Sequence, residues 1–344
     1  MTHQAVEWSP QPERSSFHGL LGAHPLMVAL YDAIRRAARF DVPAVVWGPT
    51  GAGKELVARA LHQLGRSAVK PFCAIAVAGL PESLVEAELF GHVRGAFTGA
   101  LSSRAGLVQT AHEGTLFIDE AADVAPAVQP KLLRLLETGE LRRVGSSETT
   151  RVRFRLVAAT QIAPADLVKS GRWREDFGQR LMGIVLRVPA LHEHRSDIPL
   201  LAEAYSTDRG WERPSASALT ALQRHSWPGN VRELQQVLAR AAFHADGCSV
   251  TSAHVRAALE DGGFSELVPA RRTLAAAIER HVREVVESCC GDVTRAAALL
   301  AISRRHVYRL LKPARSAPGA IGVTSCALRV TAPRAEPPQV VPNS

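Results

Sequence analysis

Gly48-Pro49-Thr50-Gly51-Ala52-Gly53-Lys54-Glu55 directly follows the apolar run Ala44-Val45-Val46-Trp47. After it a helix opens with Leu56, Val57, Ala60, Leu61 and Leu64 on one side. A strand, a glycine-rich loop closing on lysine and a helix together form the setting that a phosphate-binding P-loop requires. The glycines let backbone N–H groups wrap phosphate oxygens, and the helix N-terminus adds partial positive charge. Lys54 is expected to reach the terminal phosphates of a nucleotide bound along Gly48–Glu55. One position departs from the general pattern: Glu55 stands where Ser or Thr usually touches Mg²⁺.

Such a loop needs a carboxylate partner, and Thr115-Leu116-Phe117-Ile118-Asp119-Glu120 supplies one. An apolar strand that ends on two carboxylates places them at the C-terminal edge of a sheet, beside the loop. Asp119 is expected to hold Mg²⁺ through water and Glu120 to polarise the attacking water.

Further out, Phe72 to Val77, Leu156-Val157-Ala158-Ala159 and Ile184 to Val188 read as three more buried strands separated by helical patterns. Alternation of this kind predicts an α/β fold, a parallel sheet with helices on both faces. From 192 to 260 the strand signal disappears. Leu200-Leu201, Leu219-Leu222 and Leu234-Val237-Leu238 recur at helical spacing, and Asp261-Gly262-Gly263 is a break. Residues 1–16 read as a flexible lead and 313–344, rich in Pro, Ala, Gly and Ser, as a disordered tail.

Composition narrows the function classes. The 344 residues are 46% hydrophobic and 22% charged, enough apolar material for two or three domains, so wholesale disorder is excluded. No stretch approaches the roughly 18 unbroken apolar residues of a membrane helix. The first sixteen residues are too polar for a secretory signal. Five scattered cysteines without a CxxC pair argue against a disulfide framework or a cysteine zinc site and fit a reducing cytoplasm. The net charge of +8 is uneven: residues 270–312 carry nine Lys/Arg against four Asp/Glu, residues 313–344 three against one, and the remainder only +1. A basic C-terminal segment on a near-neutral body predicts an appended polyanion-binding module.

That segment has a pattern of its own. Asp292 to Leu300 reads as a short helix, Ala301-Ile302-Ser303 as a turn with Ser303 as N-cap, and Arg304 to Lys312 as a second helix. A further helix, Leu274 to Ser288, precedes them. Val307 and Leu311 are expected to pack inward, leaving Arg304, Arg305, His306, Tyr308 and Arg309 facing out. With Ser303 these form a candidate surface for the phosphates and base edges of double-stranded DNA, as in a helix-turn-helix.

Gly95-Ala96-Phe97-Thr98-Gly99-Ala100, preceded by Glu88-Leu89-Phe90-Gly91-His92, resembles the signature loop of sigma-54-dependent transcriptional activators, the bacterial enhancer-binding proteins of the AAA+ class. The resemblance runs from about Phe17 to Lys312. It implies a loop that touches sigma-54 through Gly95 to Ala100 and moves during the ATP cycle. Two glycines flanking an exposed Phe97 and Thr98 suit that task physically. Other motifs follow in the family's order. Gly171 to Phe177 with Gln179-Arg180-Leu181 matches the arginine-finger region, so Arg174 and Arg180 would reach a neighbouring subunit's nucleotide. Leu191-His192-Glu193-His194-Arg195-Ser196-Asp197-Ile198-Pro199-Leu200 resembles the lead-in to the helical lid, with His192 and His194 read as lid surface. Trp227-Pro228-Gly229-Asn230-Val231-Arg232-Glu233-Leu234 resembles sensor II, with Arg232 approaching the γ-phosphate. Leu141 to Arg151 corresponds to a second surface loop.

The resemblance implies a AAA+ αβα ATPase subdomain over 17–190, a helical lid over 191–262 and a Fis-type helix-turn-helix domain over 263–312. It implies a cytoplasmic activator that hydrolyses ATP with Mg²⁺ and assembles as a ring, a hexamer in expectation. The ring would bind enhancer DNA and remodel the closed complex of sigma-54 RNA polymerase holoenzyme. Sixteen leading residues cannot build the sensor domain most members carry, so control in trans by a separate protein, or constitutive action, is expected. Three positions depart from the family: Ala76 replaces an Asn thought to restrain the catalytic Glu, Gln161 replaces the sensor I Asn, and Ala301 replaces a Gly. Ala76 cannot make the restraining hydrogen bond, so either basal hydrolysis is poorly restrained or another side chain substitutes. The competing expectation is a DNA-binding regulator whose uncoupled ring serves only oligomerisation.

Overall fold

The structure is a computed structural model that describes residues 16–97, 100–261 and 292–311, with a few positions between 278 and 289. The described residues fall into two compact units, divided after Leu274.

In the first unit the five expected apolar runs form one sheet: β1 (Ala44–Trp47), β2 (Phe72–Ala76), β3 (Thr115–Asp119), β4 (Arg155–Thr160) and β5 (Ile184–Arg187). Their order is β5-β1-β4-β3-β2, and every neighbouring pair is parallel. Successive residues point to opposite faces, and both faces are covered. Val45, Leu116, Ile118, Leu156 and Ala158 pack on one side among Leu89, Leu132, Trp173 and Phe177. Ala44, Val46, Phe117, Val157 and Ala159 pack on the other among Ile34, Val57 and Leu61. The helices supplying these partners include α1 (Pro25–Ala37) and α2 (Lys54–Gln63) on the second face, and α3 (Glu82–Phe90), α5 (Gln129–Thr138) and α7 (Glu175–Leu181) on the first. Short helices α4 (Leu107–Thr110) and α6 (Pro164–Lys169) complete the set. This explains why the central strands β1, β3 and β4 read as apolar runs: neither of their faces meets water, whereas the edge strands β2 and β5 are partly exposed.

Three two-stranded ribbons decorate the sheet. Ser16–Phe17 pairs with Leu20–Leu21, so regular pairing begins at the last residue of the stretch expected to be a flexible lead. Gly91–His92 pairs with Arg104–Ala105, and Glu140–Arg142 with Thr149–Arg151. A bridge between His92 and Val144 joins the latter two.

After β5 the chain turns through Leu191–Asp197 into helices α8 (Ile198–Asp208), α9 (Ala216–Arg224), α10 (Asn230–Ala245) and α11 (Ser252–Asp261). Their core is Leu222, Trp227, Leu234, Val237, Leu238, Val255 and Leu259. The buried Trp227 indole donates to the Leu222 carbonyl at 2.8 Å, giving its only polar atom a partner.

The second unit contains helices α12 (Val293–Leu299) and α13 (Arg304–Leu311). Asp292 caps the first through the amides of Thr294 and Arg295, and Ser303 accepts from His306 N at 3.3 Å. Val307 is fully buried, with Leu300, Ile302, Leu310 and Leu311 around it. Ala301 in the turn has φ +52, a left-handed conformation that costs an L-residue about 1–2 kcal/mol. Ala301→Gly is therefore expected to stabilise this unit by roughly 0.5–1 kcal/mol, after the larger chain entropy of glycine is offset. Slower hydrogen exchange along Val293–Leu311 would record the gain; faster exchange would refute it. The readings of a helix over Leu274–Ser288 and of a tail over 313–344 lie wholly or largely outside the described residues.

Candidate nucleotide-binding site

The P-loop leaves β1 at the C-terminal edge of the sheet and enters α2 at Lys54. Gly51 has φ +75, and a Cβ there would stand 2.3 Å from the Gly229 carbonyl oxygen, so only glycine fits. Gly48 N–H is anchored on Thr160 O at 3.1 Å. On α2, Val57, Ala60 and Leu61 are fully buried, whereas Leu56 turns to the mouth of the loop.

Lys54 is 7% exposed, and its ammonium donates to Gly48 O at 3.1 Å and Pro49 O at 3.4 Å. Burial lowers its pKa from the usual value, while the carboxylates of Glu120 and Asp119 push in the opposite direction. Those carboxylates come from the end of β3, beside β4 and β2. Asp119 Oδ1 accepts the Glu120 N–H at 3.0 Å. Glu120 sits at φ +51, a left-handed turn that takes its side chain out of the strand's alternation.

Lys54, Asp119, Glu120 and Arg232 line one cavity of about 450 Å³, a volume suited to a small organic ligand. The loop Thr50–Glu55 forms its floor. Leu20, Leu21, Met27, Leu201 and Leu238 add apolar lining, drawn from the first ribbon, α1 and the lid. The lining thus combines backbone loop, charged side chains of both signs and apolar side chains, as a nucleotide's phosphates and base require. Arg232 reaches the cavity from α10, and its backbone N–H donates to Gly51 O at 3.3 Å.

The Glu55 carboxylate pairs with Arg59 at 2.7 Å, so the group standing where a metal-binding hydroxyl usually sits has its own counter-charge. Among the described residues no group of three or more His, Cys, Asp or Glu side chains could cage a metal. The oxygen donors Asp119 and Glu120 still fit Mg²⁺, which binds through one or two carboxylates plus substrate phosphates.

Two of the three departures from the family come together here. Gln161, just past β4, donates from Nε2 to Glu120 Oε1 at 2.9 Å. Ala76 pairs in register with Asp119 on the adjacent strand and offers only a methyl. The Glu120 carboxylate therefore has a side-chain hydrogen-bond donor from Gln161 and none from position 76.

Other expected site residues lie elsewhere. Arg174 and Arg180 do not line this chain's own cavity. Arg174 is tied to Asp176 by contacts of 2.8 and 3.0 Å, and Arg180 donates to Leu136 O at 3.0 Å. Gly95 N–H returns to Ala100 O and Ala100 N–H to Phe97 O, closing the signature segment on itself. Phe97 is 44% exposed, its ring edge-on to His92 at 5.1 Å. Thr98 and Gly99 fall outside the described residues. In the second unit Arg304, Arg305, Tyr308 and Arg309 are exposed, and half-buried His306 accepts from Arg309 at 2.9 Å.

One reading is corrected. His192 is exposed, but His194 is not lid surface: it is buried, 3.0 Å from Asp197, and borders the cavity. Burial lowers its pKa, with Asp197 opposing. Asp197 in turn accepts the backbone N–H groups of Ala23 and His24, pinning the start of α1 to the lid. The polar string Leu191–Asp197 concealed this, since a hydrogen-bonded interior pair and a solvated face have the same composition. Sequence reasoning also missed Asn230, whose side chain donates to Thr50 O in the P-loop at 2.9 Å across 180 positions.

Residues 20–187 match the sigma-54 interaction domain family and residues 192–269 the AAA+ ATPase lid domain family. The chain is 44% identical over 237 residues to a Nif-specific regulatory protein of Azotobacter vinelandii, covering 67% of this chain and 45% of that protein. It is 38% identical to the transcriptional regulatory protein GlrR of Escherichia coli, covering 83% of this chain and 66% of that one. The chain thus spans between about half and two thirds of these relatives' lengths. Among solved structures, NtrX from Brucella abortus in complex with ADP superimposes with a TM-score of 0.65 at 30% identity, over 85% of this chain and 69% of that one. NtrX has also been solved in complex with ATP.

Proposed function

The chain belongs to the sigma-54-dependent transcriptional activators, and from that premise we propose that it hydrolyses ATP to drive sigma-54 RNA polymerase from closed to open promoter complexes. The observation that carries this reading is the convergence of Lys54, Asp119, Glu120 and Arg232 on one cavity. The β- and γ-phosphates seat on the Gly51–Lys54 backbone, and the Lys54 ammonium neutralises them. Glu120 accepts the proton of the water that attacks the γ-phosphorus. The bond from that phosphorus to the β,γ-bridging oxygen breaks, and ADP departs. When bound, Mg²⁺ would neutralise phosphate charge, held by Asp119. Arg232 carries the lid's response to the γ-phosphate. Arg174 and Arg180, which do not line this chain's own cavity, serve the neighbouring site of a homo-oligomeric ring, a hexamer in our proposal.

The Gln161–Glu120 hydrogen bond is the restraint on basal hydrolysis in this reading. Gln161→Met, which keeps the length and removes the donor, is expected to raise basal kcat roughly tenfold at nearly constant KM, on the scale of one hydrogen bond to a charged group. A fall in steady-state kcat would show that Gln161 supports the chemistry instead.

Gly95 to Ala100 engages sigma-54, and the half-exposed Phe97 ring is its apolar contact point. The basic face of α13, with Ser303, Arg304, Arg305, His306, Tyr308 and Arg309, binds enhancer DNA. The test is co-sedimentation with purified sigma-54 in the presence of a transition-state nucleotide analogue. Wild type should retain sigma-54, and Phe97→Ala should lose it while still hydrolysing ATP. Equal retention by both would remove the loop from the proposal.

A further inference from the structure

Asn230 is 2% exposed, has φ +54 and does not line the nucleotide cavity. Its carboxamide nevertheless joins three segments. Nδ2 donates to Thr50 O at 2.9 Å and to Pro228 O at 3.3 Å, and Oδ1 accepts Leu191 N–H at 2.8 Å. Two residues on, the Arg232 N–H takes the next P-loop carbonyl, Gly51 O, at 3.3 Å. The start of α10 thus lies directly on the crest of the loop, close enough that Gly229 O excludes a Cβ at Gly51.

A trans peptide holds its C=O and N–H antiparallel, and no cis bond occurs among the described residues. Fixing Thr50 C=O on Asn230 therefore aims the Gly51 N–H away from the lid. That N–H donates to no partner among the described residues, whereas Ala52 N–H is already engaged with Pro49 O at 3.3 Å. A free backbone N–H held in a loop beside Lys54 is an anion donor awaiting its acceptor.

We propose that Asn230 is a positioning residue: from outside the cavity it holds the Thr50–Gly51 peptide plane so that the P-loop is set for the phosphates shared by nucleoside di- and triphosphates. This rests on the reading of the loop as a nucleotide site. Arg232 differs in kind, since its side chain reaches the cavity and is assigned to the γ-phosphate. Asn230 acts before any nucleotide arrives and favours both ligands equally, because a preset loop lowers the ordering cost of either one.

The test is equilibrium binding of fluorescent ADP and a fluorescent non-hydrolysable ATP analogue to the full chain. Wild type is compared with Asn230→Gly, Asn230→Asp and Arg232→Ala. Glycine keeps the left-handed backbone and removes the whole carboxamide; aspartate keeps the acceptor for Leu191 and removes the donor to Thr50. Both Asn230 variants are expected to raise Kd about tenfold for both ligands, leaving their ratio unchanged, as for loss of one hydrogen bond. Arg232→Ala is expected to weaken the triphosphate more than the diphosphate. Unchanged Kd in a folded Asn230 variant, or a loss confined to the triphosphate, overturns the proposal. Loss of folding in both variants, read by circular dichroism, also overturns it and assigns Asn230 to the lid core. A wild type that binds neither nucleotide refutes the underlying site reading instead. A wild type that binds both but opens no promoter leaves this inference standing.

Discussion

Lys54→Ala is expected to abolish ATP hydrolysis, with kcat/KM falling at least about a hundredfold, the scale of losing one charged transition-state donor. The loss is larger than for a surface lysine because Lys54 is buried between two carbonyls and faces two carboxylates. Removing it takes away a buried cation that interacts with both Asp119 and Glu120, so the site turns more electronegative where a polyphosphate must enter. Nucleotide affinity should fall together with the rate. Isothermal titration with ADP and a coupled hydrolysis assay separate the two quantities. Retention of wild-type ADP affinity would show that the backbone loop alone carries the phosphates.

Glu120→Gln should behave differently. Glutamine preserves the volume and the left-handed backbone is unaltered, but the group can no longer accept a proton from water. Hydrolysis is expected to fall about 10²- to 10⁴-fold, the usual contribution of a positioned base, while ATP affinity stays within about threefold. Single-turnover hydrolysis on preformed complexes reads this directly. A rate within tenfold of wild type would require another base among the cavity's lining residues, such as Asp119. The two variants together separate binding from chemistry at one site.

Much of the fold was legible because its physics is local. The three central strands are buried on both faces and the two edge strands on one, so each is a short, mainly apolar run that stands out between helical segments. The P-loop was legible because its glycines, its lysine and the strand before it are contiguous, and Asp119-Glu120 because the pair ends such a run. What escaped was set by contacts between distant positions. Gln161 and Glu120 are 41 positions apart, and Asn230 and Thr50 are 180 apart. Neither pair leaves a pattern in composition or spacing. His194 was misread because its partner Asp197 lies in the same polar string, which reads as surface until its burial is seen. The strain at Ala301 was indicated by the Gly that the family usually has there, but only the backbone angle gives it a magnitude. Sequence alone thus identified the chemical groups, and the structure supplied the couplings among them: base to restraint, lid to loop, and α1 to lid.

The most direct test of the account is promoter opening itself. Permanganate reactivity of unpaired thymines is read on a sigma-54 promoter with purified holoenzyme, this protein and ATP, beside a control with a non-hydrolysable analogue. The account predicts reactive thymines near the start site with ATP and wild type only, and none with the analogue, Lys54→Ala or Glu120→Gln. A duplex that stays unreactive with wild type and ATP, while the protein still hydrolyses ATP and binds DNA, would contradict it and favour a DNA-binding regulator whose ring is uncoupled from sigma-54.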